Sequence, residues 1–310
     1  MVTPEISIVI PARNEGISLL RAVESIIAGR SECFPLEIVI VDDASTEDHA
    51  SRSVAGFHAP GRNVFVNVVR LPQWSGIPYA RNTGASLATA DLLFITDANV
   101  LFPRCWDRFL RHPSADARSG RRVRCAAIAD LDSSFTGYGC ALQLPSLGVG
   151  WLTSPRAWGG YVPVAPCSST VISSALFREL GGYDTAMPLY GAAEPEFSVR
   201  LWLSGAEIVS VPSLVLKHWF RPVAHHTAFL VRHEELLTRN YLRFALLYLQ
   251  DDLLMRVLHH YASVRPKVFA KALSAVATRQ TWERRNALQN NLRYSFADYL
   301  RIFPGLPGAN

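Results

Sequence analysis

No apolar stretch in the 310 residues reaches the roughly 18 needed to cross a bilayer. Met1–Pro4 carries no basic n-region or apolar h-region and leads straight into the strand-like run Ile6–Ile10, so the expectation is a chain without a secretory leader. No C-x-x-C spacing links the 5 cysteines, Cys33, Cys105, Cys125, Cys140 and Cys167. Scattered and odd in number, they read as structural thiols of a reducing cytoplasm rather than as disulfides or a zinc site. The first strand-like run is followed by Pro11-Ala12-Arg13-Asn14-Glu15-Gly16 and not by G-x-G-x-x-G, which argues against a nicotinamide dehydrogenase. There is no internal repeat.

What is present is an ordinary globular composition, 49% hydrophobic and 18% charged, enough for one large or two small domains with a substantial core. A net charge of +5 fits anionic partners such as nucleotide diphosphates, phospholipid headgroups or nucleic acid, and does not choose among them. Ile6–Ile10, Glu37–Val41, Val64–Val69 and Leu92–Thr96 read as buried strands. The helical spacing of Ile17, Leu20, Val23 and Ile27, a helix over Ile77–Ala88 and a helix after the N-cap residue Ser45 fall between them. That alternation implies βαβ units and a mainly parallel sheet, in which ligands sit beyond the carboxyl ends of the strands. Pro11–Glu15, Asp42–Ser45 and Asp97–Asn99 all fall at those ends, so three polar clusters distant in sequence should converge.

Further along, Arg121–Asp130 reads as a strand and Gly137–Pro163, rich in Gly, Pro, Ser and Trp, as irregular loop. Thr170–Ser173 and Glu207–Val211 read as strands, with helices near Ala175–Leu180 and Pro195–Leu203. After Pro222 the chain becomes Leu- and Arg-rich and helical through Phe229–Leu249, Leu253–Val264 and Lys267–Ala277. We place a boundary there, between residues 1–222 and a helical extension, residues 223–310. These helices suit either packing on the first domain or on a dimer partner, which we prefer, or a membrane surface.

Asp97-Ala98-Asn99 after a buried strand puts two oxygen-bearing side chains at i and i+2, on one side of an extended turn. A hard cation such as Mg²⁺ or Mn²⁺ needs few protein oxygens when substrate phosphates and water complete its sphere. A bare D-x-N match suits a turn cap equally well.

The ordered set SIVIPARNEG (Ser7–Gly16), EIVIVDDASTED (Glu37–Asp48), PYARNTGASLATADLLFITDAN (Pro78–Asn99) and LGGYDTAM (Leu180–Met187) resembles GT-A glycosyltransferases of the family 2 type. The stretch Leu189–Pro222, LYGAAEPEFSVRLWLSGAEIVSVPSLVLKHWFRP, is similar to the polypeptide N-acetylgalactosaminyltransferases, with their W-G-G-E-N-x-E-x-S-x-R-x-W run and closing H-x-F-R. The resemblance covers about residues 5–222.

It implies roles. Pro11, Ala12, Arg13 and Glu15 would line a uridine pocket, with Glu15 near the ribose. Asp43 would accept the uracil N–H, with Asp42 supporting its loop. Arg81, the arginine of the A-R-N motif, would lie near the nucleotide, its charged fork suited to diphosphate or base. Asp97, Ala98 and Asn99 fill the D-x-D or D-x-H slot, and His218 the closing histidine, giving Asp97, Asn99 and His218 as the set for Mn²⁺ or Mg²⁺. Asn99 departs from pattern, being neutral where a carboxylate or imidazole is usual. So does Ala193-Glu194, where many family 2 enzymes carry an E-D pair whose aspartate is the general base. Glu194 is the sole carboxylate at that position and, one methylene longer, would reach the acceptor as the catalytic residue; the alternative is that it only caps the helix that Pro195 begins. His225-His226 and His259-His260 are adjacent pairs that do not face one site and read as solvated.

The resemblance therefore implies an α/β GT-A protein that moves a sugar, an N-acetylhexosamine by analogy, from a UDP-sugar to a small-molecule, lipid-linked or peptide acceptor, with a slight lean to retention. No nucleic-acid partner is expected. The location would be cytoplasmic, with peripheral membrane contact and a homodimer left open. The rival from another class is a non-catalytic nucleotide-sugar binder, suggested by Asn99 and the altered base motif.

Overall fold

The computed structural model describes residues 3–46, 54, 63–111 and 120–309. One mixed sheet organises it, in the order β3-β2-β1-β4-β10-β6-β11-β5 with β7 paired to β6. Strands β1 (Ile6–Ala12), β2 (Leu36–Asp42), β3 (Val64–Arg70) and β4 (Leu92–Ile95) form the all-parallel half. β1 and β2 are buried at every residue, as their mostly apolar runs predict for strands covered on both faces, and the polar residues Ser7 and Glu37 within them are hydrogen-bonded to each other. Helix α1 (Ile17–Ala28) buries Leu19, Ala22, Val23, Ile26 and Ile27 on one stripe, and α2 (Ile77–Leu87) follows β3. The helix that Ser45 was expected to cap, and the end of the Glu37–Asp48 motif, lie outside the described residues.

Beyond β4 the sheet turns mixed. β10 (Thr170–Ser173) runs antiparallel to both β4 and β6 (Arg122–Asp130), while β11 (Glu207–His218) runs parallel to β6. β11 is longer than the expected Glu207–Val211. Its register shifts between Val211 and Val215, around Pro212, which cannot donate to a ladder, and pairing then resumes to His218. The last two residues of β11 pair with β5 (Val100–Leu101), His218 opposite Val100, which carries His218 beside the Asp97–Asn99 turn.

The expected irregular stretch Gly137–Pro163 is partly ordered, a correction to the sequence reading. Thr136–Gly137 forms β7, and β8 (Cys140–Gln143) pairs antiparallel with β9 (Gly148–Trp151). Two helices flank the sheet here, α3 (Ser174–Glu179) and α4 (Ala193–Leu203).

After residue 222 come α5 (Val223–Arg232), α6 (Glu234–Tyr248), α7 (Asp251–Val264), α8 (Pro266–Val276), α9 (Arg279–Asn291) and α10 (Phe296–Ile302). The single helix expected over Phe229–Leu249 is two, divided at His233, and α9 and α10 are additional. These helices share one apolar cluster with the sheet: Leu242, Phe244, Tyr299 and Phe303 belong with Val123, Cys125, Val164 and Trp202. Polar ties run the same way. Arg243 on α6 pairs with Asp184 at 2.8 Å and bonds Thr281 of α9 at 2.9 Å. Buried Glu196 and Arg200, one turn apart on α4, form a two-bond pair at 2.8 and 2.9 Å, and the Tyr248 hydroxyl of α6 donates to Glu196. All five cysteines are free thiols. No described helix is long and apolar enough to cross a membrane.

Candidate active site

The carboxyl ends of β1, β2 and β4 do converge, and backbone geometry explains how. Asn14, Gly16 and Ala44 all take positive φ, so the chain turns sharply as it leaves β1 and β2. The Asp43 N–H donates to the Ala12 carbonyl at 2.8 Å, and the Arg13 guanidinium bonds the Asp43 and Ala44 carbonyls at 2.6 and 2.5 Å. The same guanidinium lies 4.6 Å from the centre of the Trp74 ring. Pro11 and Ala12 are buried within β1. Asp42 holds the loop from beneath, accepting from the Ser45 N–H and from Arg70, both at 2.8 Å.

Asp43 is buried, and its two oxygens accept from the backbone N–H groups of Ser75 and Gly76 at 2.7 and 2.8 Å. Burial raises its pKa and those two donors work against the rise. The carboxylate thus fixes the loop leading into α2, a task that the sequence reading did not assign to it. A carboxylate offers about four lone-pair sites, so two bonds leave capacity for a ligand N–H.

Asp97 and Glu194 are held by one guanidinium. Arg81 Nη2 donates to Asp97 Oδ1 at 2.8 Å and Nη1 to Glu194 Oε1 at 2.9 Å. The arginine fork expected near the diphosphate or base faces two carboxylates in this structure. Arg81 is 1% exposed and both of its terminal nitrogens are already engaged by carboxylates. Burial opposes the arginine charge, but the carboxylates Asp97 and Glu194 overcome it and push the pKa well above the usual arginine value. Asp97 Oδ2 faces the Cys167 thiol at 3.6 Å, and burial holds that thiol protonated. Glu194 sits in the first turn of α4, and Ala98 is buried behind Asp97. Glu15 lies close enough to feel Asp97: burial raises its pKa, while Arg221, paired to it at 2.6 Å, lowers it.

Asp97, Asn99 and His218 stand together, as the strand register requires. The Asn99 amide nitrogen donates to the Trp219 carbonyl at 2.8 Å, which leaves the amide oxygen as the free end. Burial lowers the His218 pKa, so the ring is neutral at physiological pH, and its Nδ1 is buried without a partner. An unpartnered buried imidazole nitrogen costs free energy unless something binds it. Carboxylate, amide oxygen and neutral imidazole are a donor set that suits Mn²⁺ or Mg²⁺. Among the described residues no three His, Cys, Asp or Glu side chains form a metal-holding group, so the set depends on Asn99 as third member. His225 and His226 are exposed on α5, away from any such group.

Comparisons with known proteins show what the chain is similar to. Residues 7–116 match the family model described as glycosyl transferase family 2. Among curated relatives, polypeptide N-acetylgalactosaminyltransferase 8 of Drosophila melanogaster is 29% identical over 269 residues, covering 80% of this chain and 44% of the relative. Polypeptide N-acetylgalactosaminyltransferase 6 of Homo sapiens is 29% identical over 260 residues, covering 77% and 41%. The chain spans about two fifths of the length of these relatives. Among solved structures, GalNAc-T7 with UDP, GalNAc and Mn²⁺ matches with a TM-score of 0.74 at 20% identity, over 96% of this chain and 56% of that one.

The fold is GT-A.

A GT-A mannosyltransferase, PcManGT from Pyrobaculum calidifontis with GDP-Man and Mn²⁺, matches at a TM-score of 0.53 and 18% identity, over 98% of this chain and 86% of its own. A match over 96% of the chain necessarily takes in most of the helices after Pro222. The likeness to GT-A proteins therefore extends past the residues 5–222 on which the sequence resemblance rests.

Proposed function

We propose that this GT-A chain transfers a sugar, an N-acetylhexosamine, from a UDP-sugar to an acceptor hydroxyl, with retention of configuration and dependence on Mn²⁺ or Mg²⁺. The observation that carries the reading is the convergence of Asp97, the Asn99 amide oxygen and the unpartnered His218 Nδ1 at the carboxyl edge of a family 2 sheet. The curated relatives are named as N-acetylgalactosaminyltransferases, and the similar GalNAc-T7 structure carries UDP, GalNAc and Mn²⁺.

On this reading Asp97, Asn99 and His218 hold the cation, which supplies electrostatic stabilisation of a departing diphosphate. The chain's own residues do the rest. The β1 and β2 ends, with Arg13, Glu15 and Asp43, form the nucleoside side, where Asp43 accepts from a base N–H. Glu194 has one oxygen, Oε1, committed to Arg81 and keeps the other as an acceptor toward the substrate. Tyr190, Gly191, Leu237, Tyr241 and Tyr261 line a cavity of about 140 Å³ between α5, α6 and α7, with Tyr190 and Tyr241 close enough to feel the Glu194 charge, and we assign this cavity to the acceptor. We assign residues 1–222 to donor binding and catalysis and residues 223–310 to the acceptor side.

The test is product formation from UDP-N-acetylhexosamines with and without Mn²⁺, followed by NMR of the product's anomeric proton. Transfer that needs Mn²⁺ and keeps the donor's configuration is expected. Binding of UDP-sugars with neither transfer nor hydrolysis would overturn the enzymatic reading.

A further inference from the structure

We propose that Arg81 is a positioning residue that couples the donor side of the site to the acceptor side by sharing one buried charge between Asp97 and Glu194. The inference rests on the functional reading above, in which Asp97 serves the donor and Glu194 the acceptor.

The geometry is unusual in its economy. Arg81 comes from α2, Asp97 from the end of β4 sixteen residues on, and Glu194 from α4, 113 residues on. The guanidinium is 1% exposed, whereas the two carboxylate side chains are 21% and 13% exposed. Arg81 therefore touches no bulk solvent, and both carboxylates do. Its Nε is buried without a partner, and the side chain is held by the two carboxylates, by the neighbouring Cys167 thiol and by the Tyr183 ring 5.4 Å away. A ligand arriving from solvent meets the more exposed Asp97 and Glu194 before it meets Arg81.

One positive charge between two negative ones makes the two bonds competitive. In this poorly solvated cluster charge–charge terms are several times larger than in water. Removing the Glu194 charge leaves the whole guanidinium charge on Asp97 and makes that carboxylate a weaker cation ligand. Conversely, a divalent cation sharing Asp97 shifts Arg81's hold toward Glu194 and fixes the acceptor-side carboxylate. Reciprocity of binding free energies requires both effects to be equal. The consequence is that cation binding at Asp97 and the setting of Glu194 favour each other.

Direct Coulomb attraction between Glu194 and a cation acts in the same direction, so a single substitution does not decide the matter. The experiment is a double-mutant cycle of Mn²⁺ affinity in saturating UDP, by calorimetry, on the full chain: wild type, Glu194→Gln, Arg81→Met, and the double variant. Glu194→Gln is expected to weaken Mn²⁺ binding at least about fivefold in the wild-type background, the lower edge of ordinary coupling. In the Arg81→Met background the effect is expected to shrink to within about twofold, the scatter of independent sites. Equal effects in both backgrounds, or none in either, would overturn the proposal.

Arg81→Met leaves two buried carboxylates facing each other. If it fails to fold, Arg81→Lys takes its place, because one ammonium keeps the charge and lacks the second arm. A merely structural arginine would be rescued by lysine in both stability and coupling. Positioning by the fork predicts rescue of stability alone. If the wild type shows no Mn²⁺-dependent UDP binding, the functional reading falls and this inference with it. Intact binding without coupling defeats the inference alone.

Discussion

Asn99 and Trp219 are tied to one another twice: the Trp219 N–H donates to the Asn99 carbonyl at 3.1 Å, and the Asn99 side-chain amide donates to the Trp219 carbonyl at 2.8 Å. The pairing aligns β11 on β5 and sets His218, the residue before Trp219, against the Asp97 turn. It also explains what a neutral residue gains at this position. A carboxylate there would add charge for a cation but lose the side-chain donor that closes the strand. Asn99→Asp is accordingly expected to tighten Mn²⁺ binding by on the order of 1 kcal/mol, the scale of one added charge at a partly solvated site, while lowering the thermal midpoint. Calorimetry and a melting curve together check it, and tighter binding with unchanged stability would contradict the strand-closing role.

Asp97→Ala is expected to abolish Mn²⁺-dependent UDP binding while the fold survives, because Glu194 still neutralises Arg81. Mn²⁺ titrations of UDP affinity read the effect, and unchanged metal dependence would remove Asp97 from the cation set.

Asp43→Ala should act twice. Loss of the bonds to Ser75 and Gly76 should cost stability on the order of 1.5–3 kcal/mol, the worth of hydrogen bonds to a charged group. It should also weaken UDP, through the lost base contact and through the loosened loop. Denaturant unfolding and UDP calorimetry separate the two. Weakened UDP with full stability would mean that Asp43 serves the ligand alone.

The parallel half of the fold was legible because β1, β2 and β4 are short, mostly apolar runs ending in polar clusters, the pattern of strands in a doubly covered sheet. The motifs at those ends drew attention to Asp43 and Asp97, and the stretch Leu189–Pro222 to Glu194. The burial of Arg81 is not legible locally, since it depends on carboxylates 16 and 113 residues away. The hairpin β8–β9 was hidden because its strands are four residues each and set among Gly and Pro. Helix α9, RQTWERRNALQNN, buries only Thr281 and Leu288, so it offers almost no apolar period to read. The i+4 spacing of Glu196 to Arg200 is a signal for an intrahelical pair, but nothing in the spacing shows that the pair is buried.

That pair supports a prediction about stability free of catalysis. Glu196 and Arg200 are each 1% exposed, and Tyr248 adds a third member from α6. Removing one partner of a buried pair leaves an uncompensated charge, so Glu196→Ala is expected to cost about 3–5 kcal/mol. UDP affinity of the remaining folded protein should be unchanged, since Glu196 makes no bond to Arg81, Asp97 or Glu194. Urea unfolding with parallel UDP titration tests both halves. A loss of UDP affinity at full folding would tie Glu196 to the site instead.

Truncation after Pro222 tests the division of labour between the two parts of the chain. The shared cluster means that such a cut exposes Val123, Val164 and Trp202 on one side, having removed Leu242, Phe244 and Phe303 from the other. It also strips the partners Arg243 from Asp184 and Tyr248 from Glu196, two buried polar groups that do not tolerate abandonment. Residues 1–222 alone are therefore expected to be insoluble or molten, seen as lost near-UV circular dichroism and high dye binding. A finer cut keeps the question answerable. Leu237→Trp fills the cavity beside Glu194 without removing a helix, and should impair transfer to the acceptor while leaving UDP affinity and donor hydrolysis intact. Unimpaired transfer by this variant would show that α6 does not border the acceptor, and the assignment of residues 223–310 to that side would fail.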